Sequence, residues 1–187
     1  GYDMIRQVEC LPDMPADDLN LPEGILIRPG LFAIFDTVRD ELLLAAPMRP
    51  CAGVAPEAIW DLAHERLQQA RAALSTPVEL PDGPAGEIGI PVPESTMTKA
   101  EFCDIVRKLQ DYIAAGDAFQ IVPSQRFSAA FSLPPFALYR ALRRINPAPF
   151  LFYLDLDGFS LVGSSPEILV RLREGTMTVR PLAGTRP

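Results

Sequence analysis

The chain has 187 residues, 48% of them hydrophobic, and a formal net charge of −7 at pH 7. Its length and hydrophobic fraction are sufficient to bury a sizeable core, so we expect a globular protein. The negative charge argues against nucleic acid or an anionic membrane as the main partner, because both attract clustered Lys and Arg side chains.

The N-terminal part of the chain predicts a β-hairpin followed by a helix. Two apolar runs, residues 31–36 and 41–46, are separated by the short segment TVRD, which is typical of a hairpin. Between residues 56 and 74, apolar side chains recur at three- and four-residue steps, as in an amphipathic helix. We expect Trp60 and Leu67 to face a core.

Neither the single histidine nor the three cysteines predict a metal or redox site. His64 lies on the predicted helix without a nucleophile or metal ligand, which favours a surface position over a catalytic one. Cys10, Cys51 and Cys103 are far apart and lack Cys-x-x-Cys spacing, so we expect reduced thiols in a cytoplasmic protein. Apolar runs typical of a membrane span or a secretory signal are absent from the sequence.

A connection rich in proline and glycine follows the first helix. Residues 76–98 contain five prolines and three glycines, which disfavour both a helix and a central strand. Composition leaves open whether this connection separates two domains or crosses the surface of one. We predict an N-terminal portion over residues 1–75, the connection over 76–98, and the first part of a second domain over 99–187.

The next segment predicts a capped helix and then a strand. Thr98 and Glu101 have the spacing of a capping box, and Gly116 is placed to end the helix. Residues 117–128 alternate between apolar and polar, which predicts a strand whose polar side carries Gln120. The helix has an apolar stripe that we expect to be buried, formed by Phe102, Ile105, Val106, Leu109, Tyr112 and Ile113.

The last third of the chain predicts one more helix and an antiparallel meander. Ser132 can cap a helix over residues 133–145, which has a proline in its first turn and ends at Asn146. Strand-like runs follow, separated by turns at residues 157–158 and 173–175. Because helices and hairpins alternate without regular βαβ spacing, we predict an α+β fold with antiparallel sheets and packed helices.

Short catalytic motifs are absent from the sequence, including a Gly-rich phosphate loop, His-Glu-x-x-His and a nucleophile elbow. Small and polar residues instead cluster in GSSPE, residues 163–167, and AGT, residues 183–185. Glycine lets backbone amides approach a ligand and hydroxyls can bind a carboxylate, so both are candidate binding turns. On spacing alone, ordinary turns are the favoured interpretation.

Longer stretches give a more specific signal. GDAFQIVPSQRFS, LPPFALYRALRRINPAPFLFYLDLDGFSLVGSSPEILVRL and RPLAGTRP closely resemble the chorismate-utilising enzymes, and within them the large subunits of anthranilate synthase. GYDMIRQVE and LFAIFDTVRDEL are similar to the same subunits. The resemblance implies the α/β sandwich fold of that family, with residues 99–187 as the first part of its chorismate-binding domain.

The resemblance implies a reaction of magnesium-bound chorismate in tryptophan biosynthesis. Ammonia, delivered by a glutamine amidotransferase subunit, adds at C2, the 4-hydroxyl leaves, and elimination of pyruvate gives anthranilate. The resemblance places Ala183, Gly184 and Thr185 in the substrate pocket. It places Glu167 near the reacting ring, where a role in proton transfer and a purely structural role both remain open. The magnesium ligands would lie outside this chain.

Two positions separate this sequence from other members of the family. Aminodeoxychorismate synthases carry a nucleophilic lysine where this chain has Ala183. Isochorismate and salicylate synthases carry a lysine that acts as the base that deprotonates water, and this chain has Gln120 at that position. An amide cannot deprotonate water near neutral pH. We therefore favour anthranilate chemistry, with Gln120 in the catalytic pocket, over the aminodeoxychorismate and isochorismate alternatives.

The resemblance also implies feedback inhibition by tryptophan. A helix end followed by a buried strand explains the same prolines and aromatic residues without an inhibitor. A non-catalytic tryptophan-binding or assembly module is a separate alternative to the enzyme. Leu151 departs from a methionine that is frequent in the family. The implied inhibitor segment comprises Asn146, Pro147, Pro149, Phe150, Leu151 and Phe152.

Large subunits of this family are far longer than the present sequence. The resemblance implies that their magnesium-binding glutamates, catalytic histidine and basic carboxylate-binding residues would follow residue 187. We therefore expect this sequence to be an internal fragment, and we expect the fragment alone to be inactive.

Overall fold

The computed structural model describes residues 2–12, 16–78, 89, 91–168 and 170–179. The described elements are a short 3-10 helix, Tyr2–Gln7, three α-helices and eight β-strands, with the helices and strands interspersed along the chain. The chain divides into two compact units, Gly1–Pro81 and Asp82–Pro187. Among the helices described, none has the length and apolar character that crossing a membrane requires.

The first unit contains the predicted hairpin and helix. Strand β1, Phe32–Asp36, pairs antiparallel with β2, Glu41–Ala45. The side chain of Asp36 accepts two backbone N–H groups of the turn between the strands, which fixes the turn. Helix α1, Pro56–Leu74, has a proline at its start and packs against β2. Both predictions are confirmed.

The buried side of α1 centres on Ala63. This residue is 7% exposed and Leu67 is half-buried, whereas Trp60 is 54% exposed. The prediction that Trp60 faces a core is therefore wrong. The helix approaches its neighbours through the small Ala63 side chain, and the indole of Trp60 instead stacks on His64, with ring centroids 5.0 Å apart. His64 is exposed, as predicted.

Helix α2, Lys99–Ala115, begins and ends as predicted. The Thr98 hydroxyl accepts the backbone N–H of Glu101 at 3.3 Å, and the Glu101 carboxylate accepts the backbone N–H of Thr98 at 2.7 Å, which completes the capping box. Gly116 ends the helix with a φ of 86°, a left-handed conformation that glycine adopts without strain.

The apolar stripe of α2 is not buried. Ile105, Tyr112 and Ile113 are exposed, and within the described part of the chain α2 packs against no other helix or strand. The prediction of a buried stripe is therefore wrong here. Both caps of α2 are made by residues next to the helix in the sequence, so a peptide that contains them reports on the caps.

The capping box is expected to make the stability of α2 depend on pH. The backbone N–H of Thr98 and then its hydroxyl donate to the Glu101 carboxylate, and both bonds lower the pKa of that carboxyl. Because the folded pKa lies below the unfolded one, the cap stabilises fully above the ordinary carboxyl pKa. This stabilisation is lost as the pH falls through the lowered pKa. Circular dichroism of a peptide spanning residues 95–118 should show helicity falling in acid.

Two variants of the same peptide isolate the contribution of the cap. Glu101→Gln keeps a hydrogen-bonding side chain that does not titrate, so its loss of helicity in acid should be smaller than that of the parent peptide. Thr98→Ala removes the hydroxyl and should lower helicity already at neutral pH. An equal acid loss in the Glu101→Gln peptide and the parent peptide would contradict this account.

Only the end of the predicted strand 117–128 is a strand. Strand β4, Phe127–Ser128, pairs with β3, Glu94–Ser95, which comes from the proline-rich connection. On one side β3 follows Pro93 directly. On the other side one further backbone bond, from the Thr96 N–H to the Arg126 carbonyl oxygen at 2.9 Å, precedes the start of α2, so the pairing stays short. The longer strand prediction is therefore wrong.

Helix α3, Pro135–Ile145, begins with a proline and ends at Asn146, as predicted. The predicted cap at Ser132 is wrong. The residue before the helix is Pro134, which has no side-chain hydrogen bond to offer, so the two consecutive prolines move the helix start beyond the reach of Ser132.

Two separate hairpins follow α3. Strand β5, Phe150–Leu156, pairs with β6, Phe159–Ser165, and strand β7, Arg171–Arg173, pairs with β8, Thr176–Thr178. In the described residues β6 does not pair with β7, so the prediction of one continuous meander is wrong there. Pro166 follows β6 directly and lacks the N–H group that a longer ladder would need. The architecture is α+β with antiparallel sheets, as predicted.

Candidate active-site segments

The β5–β6 hairpin joins two segments that the sequence predicts separately. The start of β5 belongs to the predicted inhibitor segment, and the end of β6 belongs to the predicted binding turn GSSPE. Only ten residues separate the two segments in the sequence, and the hairpin makes them direct neighbours. Three directly paired positions join them: Phe150 with Ser165, Leu151 with Ser164, and Phe152 with Gly163.

The ring of Phe152 lies directly over Gly163. A Cβ atom built on Gly163 would overlap the Cζ and Cε1 atoms of that ring. Glycine is therefore needed at this position for space, since any side chain would displace the ring or the strand. This packing is a reason for the glycine that its sequence context does not reveal.

A second contact ties β6 to the end of α3. The hydroxyl of Ser164 donates to the backbone carbonyl oxygen of Asn146 at 2.8 Å. Asn146 also donates its own N–H to Leu142 at 2.9 Å, which closes the last turn of the helix. Pro147 and Pro149 lie in the short loop between this helix end and β5. The described inhibitor segment therefore runs from a helix end into a paired strand.

Glu167 lies in a tight turn just beyond β6. The hydroxyl of Ser165 donates to the Glu167 carbonyl oxygen at 3.1 Å and accepts the Glu167 backbone N–H at 3.4 Å. These bonds hold the backbone of Glu167 while its side chain is exposed.

Gln120 lies away from regular structure. It is exposed in the irregular segment between α2 and β4, next to Phe119, which is 105% exposed. No hydrogen bond or ring contact among the described residues joins Gln120 to the β5–β6 hairpin. The three predicted substrate-binding residues Ala183, Gly184 and Thr185 lie outside the described residues.

An aromatic cluster that the sequence patterns did not single out holds α3 on β5. The ring of Tyr153 on β5 lies 5.3 Å from that of Phe136 and 6.2 Å from that of Tyr139, both on α3. The two helical rings are three residues apart and lie 5.5 Å from each other. The i,i+3 spacing of Phe136 and Tyr139 is the sequence feature that could have indicated this cluster. The cluster fixes α3 and thereby Asn146.

The described residues offer no binding site for magnesium. Within the ranges that the structure describes, no three side chains of His, Cys, Asp or Glu come together. A complete set of protein ligands for a divalent cation is therefore not assembled by the described residues. All three cysteines are unpaired.

Comparisons with known proteins identify the family. A family model described as chorismate binding enzyme matches residues 1–187. The chain belongs to the chorismate binding enzyme family. The crystal structure of anthranilate synthase component I from Streptococcus pneumoniae TIGR4 is similar to this family member, with a TM-score of 0.75 and 27% sequence identity. That match covers 96% of this chain and 40% of the other, and it supports the predicted chorismate-binding fold.

Several curated relatives share the name anthranilate synthase component 1. The protein from Cereibacter sphaeroides is 46% identical over 188 residues, a match that covers 100% of this chain and 37% of the relative. The protein from Thermus thermophilus is 41% identical and is covered to 38% of its length. This chorismate binding family member thus spans less than two fifths of the length of these relatives.

Proposed function

We propose that this chain is part of an anthranilate synthase large subunit, a lyase that converts chorismate and ammonia into anthranilate and pyruvate for tryptophan biosynthesis. The observation that supports this most strongly is the 46% identity, over the whole chain, to a protein named anthranilate synthase component 1. The proposal includes a glutamine amidotransferase partner that supplies ammonia and tryptophan as the feedback inhibitor.

In this proposal the turn beyond β6 supplies a reacting carboxylate. Glu167 has a hydrogen-bonded backbone and an exposed side chain, which suits a group that meets a substrate. A carboxylic acid can protonate a leaving hydroxyl, and a carboxylate can remove a ring proton. Gly184 and Thr185, beside Ala183, bind chorismate through a backbone amide and a hydroxyl, an assignment that rests on the sequence resemblance.

Two side chains select the nucleophile. Ala183 cannot attack the ring as a lysine would, and the amide of Gln120 cannot deprotonate water as a lysine base would. Ammonia is already a nucleophile and needs neither lysine. Magnesium enters as the cofactor of the whole subunit, with its ligands outside this chain.

The inhibitor segment completes the proposal. Tryptophan contacts the segment from Asn146 to Phe152, which runs from the end of α3 into β5. Phe150 and Phe152 are 37% and 41% exposed, so apolar ring surface is available to an indole.

The proposed function is tested by an assay for anthranilate fluorescence with chorismate, magnesium chloride and an ammonium salt. We expect sustained anthranilate formation by the full-length protein and none by the isolated 187-residue chain. Aminodeoxychorismate or isochorismate as the product of the full-length protein would overturn the proposal. Saturable tryptophan binding without chorismate turnover would favour the binding module instead.

A further inference from the structure

We propose that Ser164 is a positioning residue, which sets the place of Glu167 by tying the end of α3 to β6. This inference rests on the proposed function, because Glu167 acts on the substrate only within that function. It concerns a side chain that touches no substrate and acts through its neighbours.

The first step is the bond between Ser164 and the helix end. The last carbonyl groups of an α-helix have no partner within the helix. The hydroxyl of Ser164 donates to one such carbonyl, that of Asn146, at 2.8 Å and across 18 residues of sequence. Ser164 is half-buried as a residue, although the bond itself is exposed to solvent.

The second step is the neighbouring hydroxyl. Ser165 follows Ser164 on β6, and successive side chains of a strand point to opposite faces. The Ser164 hydroxyl therefore meets α3, while the Ser165 hydroxyl holds both backbone groups of Glu167. Two consecutive serines thus connect the end of α3 to the Glu167 turn.

The packing of Phe152 on Gly163 lies on the face of the hairpin opposite to the Ser164 side chain. Because the Phe152 ring leaves no room for a Cβ atom at Gly163, β6 cannot shift along β5 without disturbing that ring. The end of α3, the start of β5 and the Glu167 turn are held as one unit.

The test uses the full-length protein and two substitutions of the same residue. Ser164→Ala removes the donor, and we expect kcat to fall about threefold to tenfold, the worth of one such hydrogen bond, with KM for chorismate changed less than twofold. Ser164→Thr keeps the hydroxyl and should retain kcat to within about twofold of the parent enzyme. Ser160→Ala, at the other end of the hairpin, removes a hydroxyl that bonds Asp155 and serves as the control.

Hydrogen–deuterium exchange provides a readout that does not depend on turnover. Ser164→Ala should accelerate amide exchange at residues 143–146 and 165–168 together, while the rest of the hairpin stays protected. If the parent enzyme forms no anthranilate, the proposed function fails and exchange alone decides the positioning role. Unchanged exchange in Ser164→Ala, or equal losses of kcat in the Ala and Thr variants, would overturn the role of Ser164 and leave the proposed function intact.

Discussion

Gly163→Ala is expected to destabilise the protein by about 1–3 kcal/mol, the usual cost of forcing a methyl group into filled space. The added Cβ atom would overlap the Phe152 ring, so the ring must turn away or β6 must move from β5. Chemical unfolding monitored by circular dichroism measures the loss. The expected result is a lower unfolding midpoint with the same slope.

A matched substitution and a double variant make this prediction specific. Gly89→Ala adds the same methyl group at a position where no atom of the described residues lies within 4 Å, so we expect almost no change there. Phe152→Ala removes the ring, and in that background Gly163→Ala should cost far less than it does alone. Additive effects of the two substitutions would show that the ring and the glycine do not interact.

Glu167→Gln in the full-length enzyme is expected to lower kcat about 100-fold or more, the contribution of a general acid or base. The amide has nearly the same shape and leaves the backbone bonds to Ser165 intact, so the fold should be preserved.

Glu174→Gln is the control for Glu167. Glu174 is exposed in the turn between β7 and β8, and the same change of charge there should leave kcat within about twofold of the parent value. If Glu167→Gln also keeps more than half of the parent kcat, the role of Glu167 is structural.

Local signals in the sequence predicted local structure well. The hairpin around Asp36, the start of α1 at Pro56 and the capping box of Thr98 and Glu101 each depend on residues a few positions apart, and the structure confirms them. The strand predicted over residues 117–128 failed because its length is set by a distant partner, which is bounded by Pro93 and by the start of α2.

The candidate site shows the same difference between features that local sequence predicts and features that depend on distant residues. Sequence stretches indicated the family, which the comparison over residues 1–187 confirms, and they named the inhibitor and binding segments as separate features. That Phe152 covers Gly163, and that Ser164 bonds Asn146, depends on the pairing register of β5 and β6. The turn predicted at residues 157–158 already implies that register, because a two-residue turn fixes which positions pair. The bond from Ser164 to Asn146 also depends on where the end of α3 lies, and it therefore required the structure.

The most direct test of the proposed function is the anthranilate assay run on the full-length protein with chorismate, magnesium and ¹⁵N-labelled ammonium. Mass spectrometry of the product should show anthranilate that carries the label, formed in equal amounts with pyruvate. An unlabelled product, a product that retains the pyruvyl group, or the absence of turnover would contradict the proposal that this chain belongs to an anthranilate synthase.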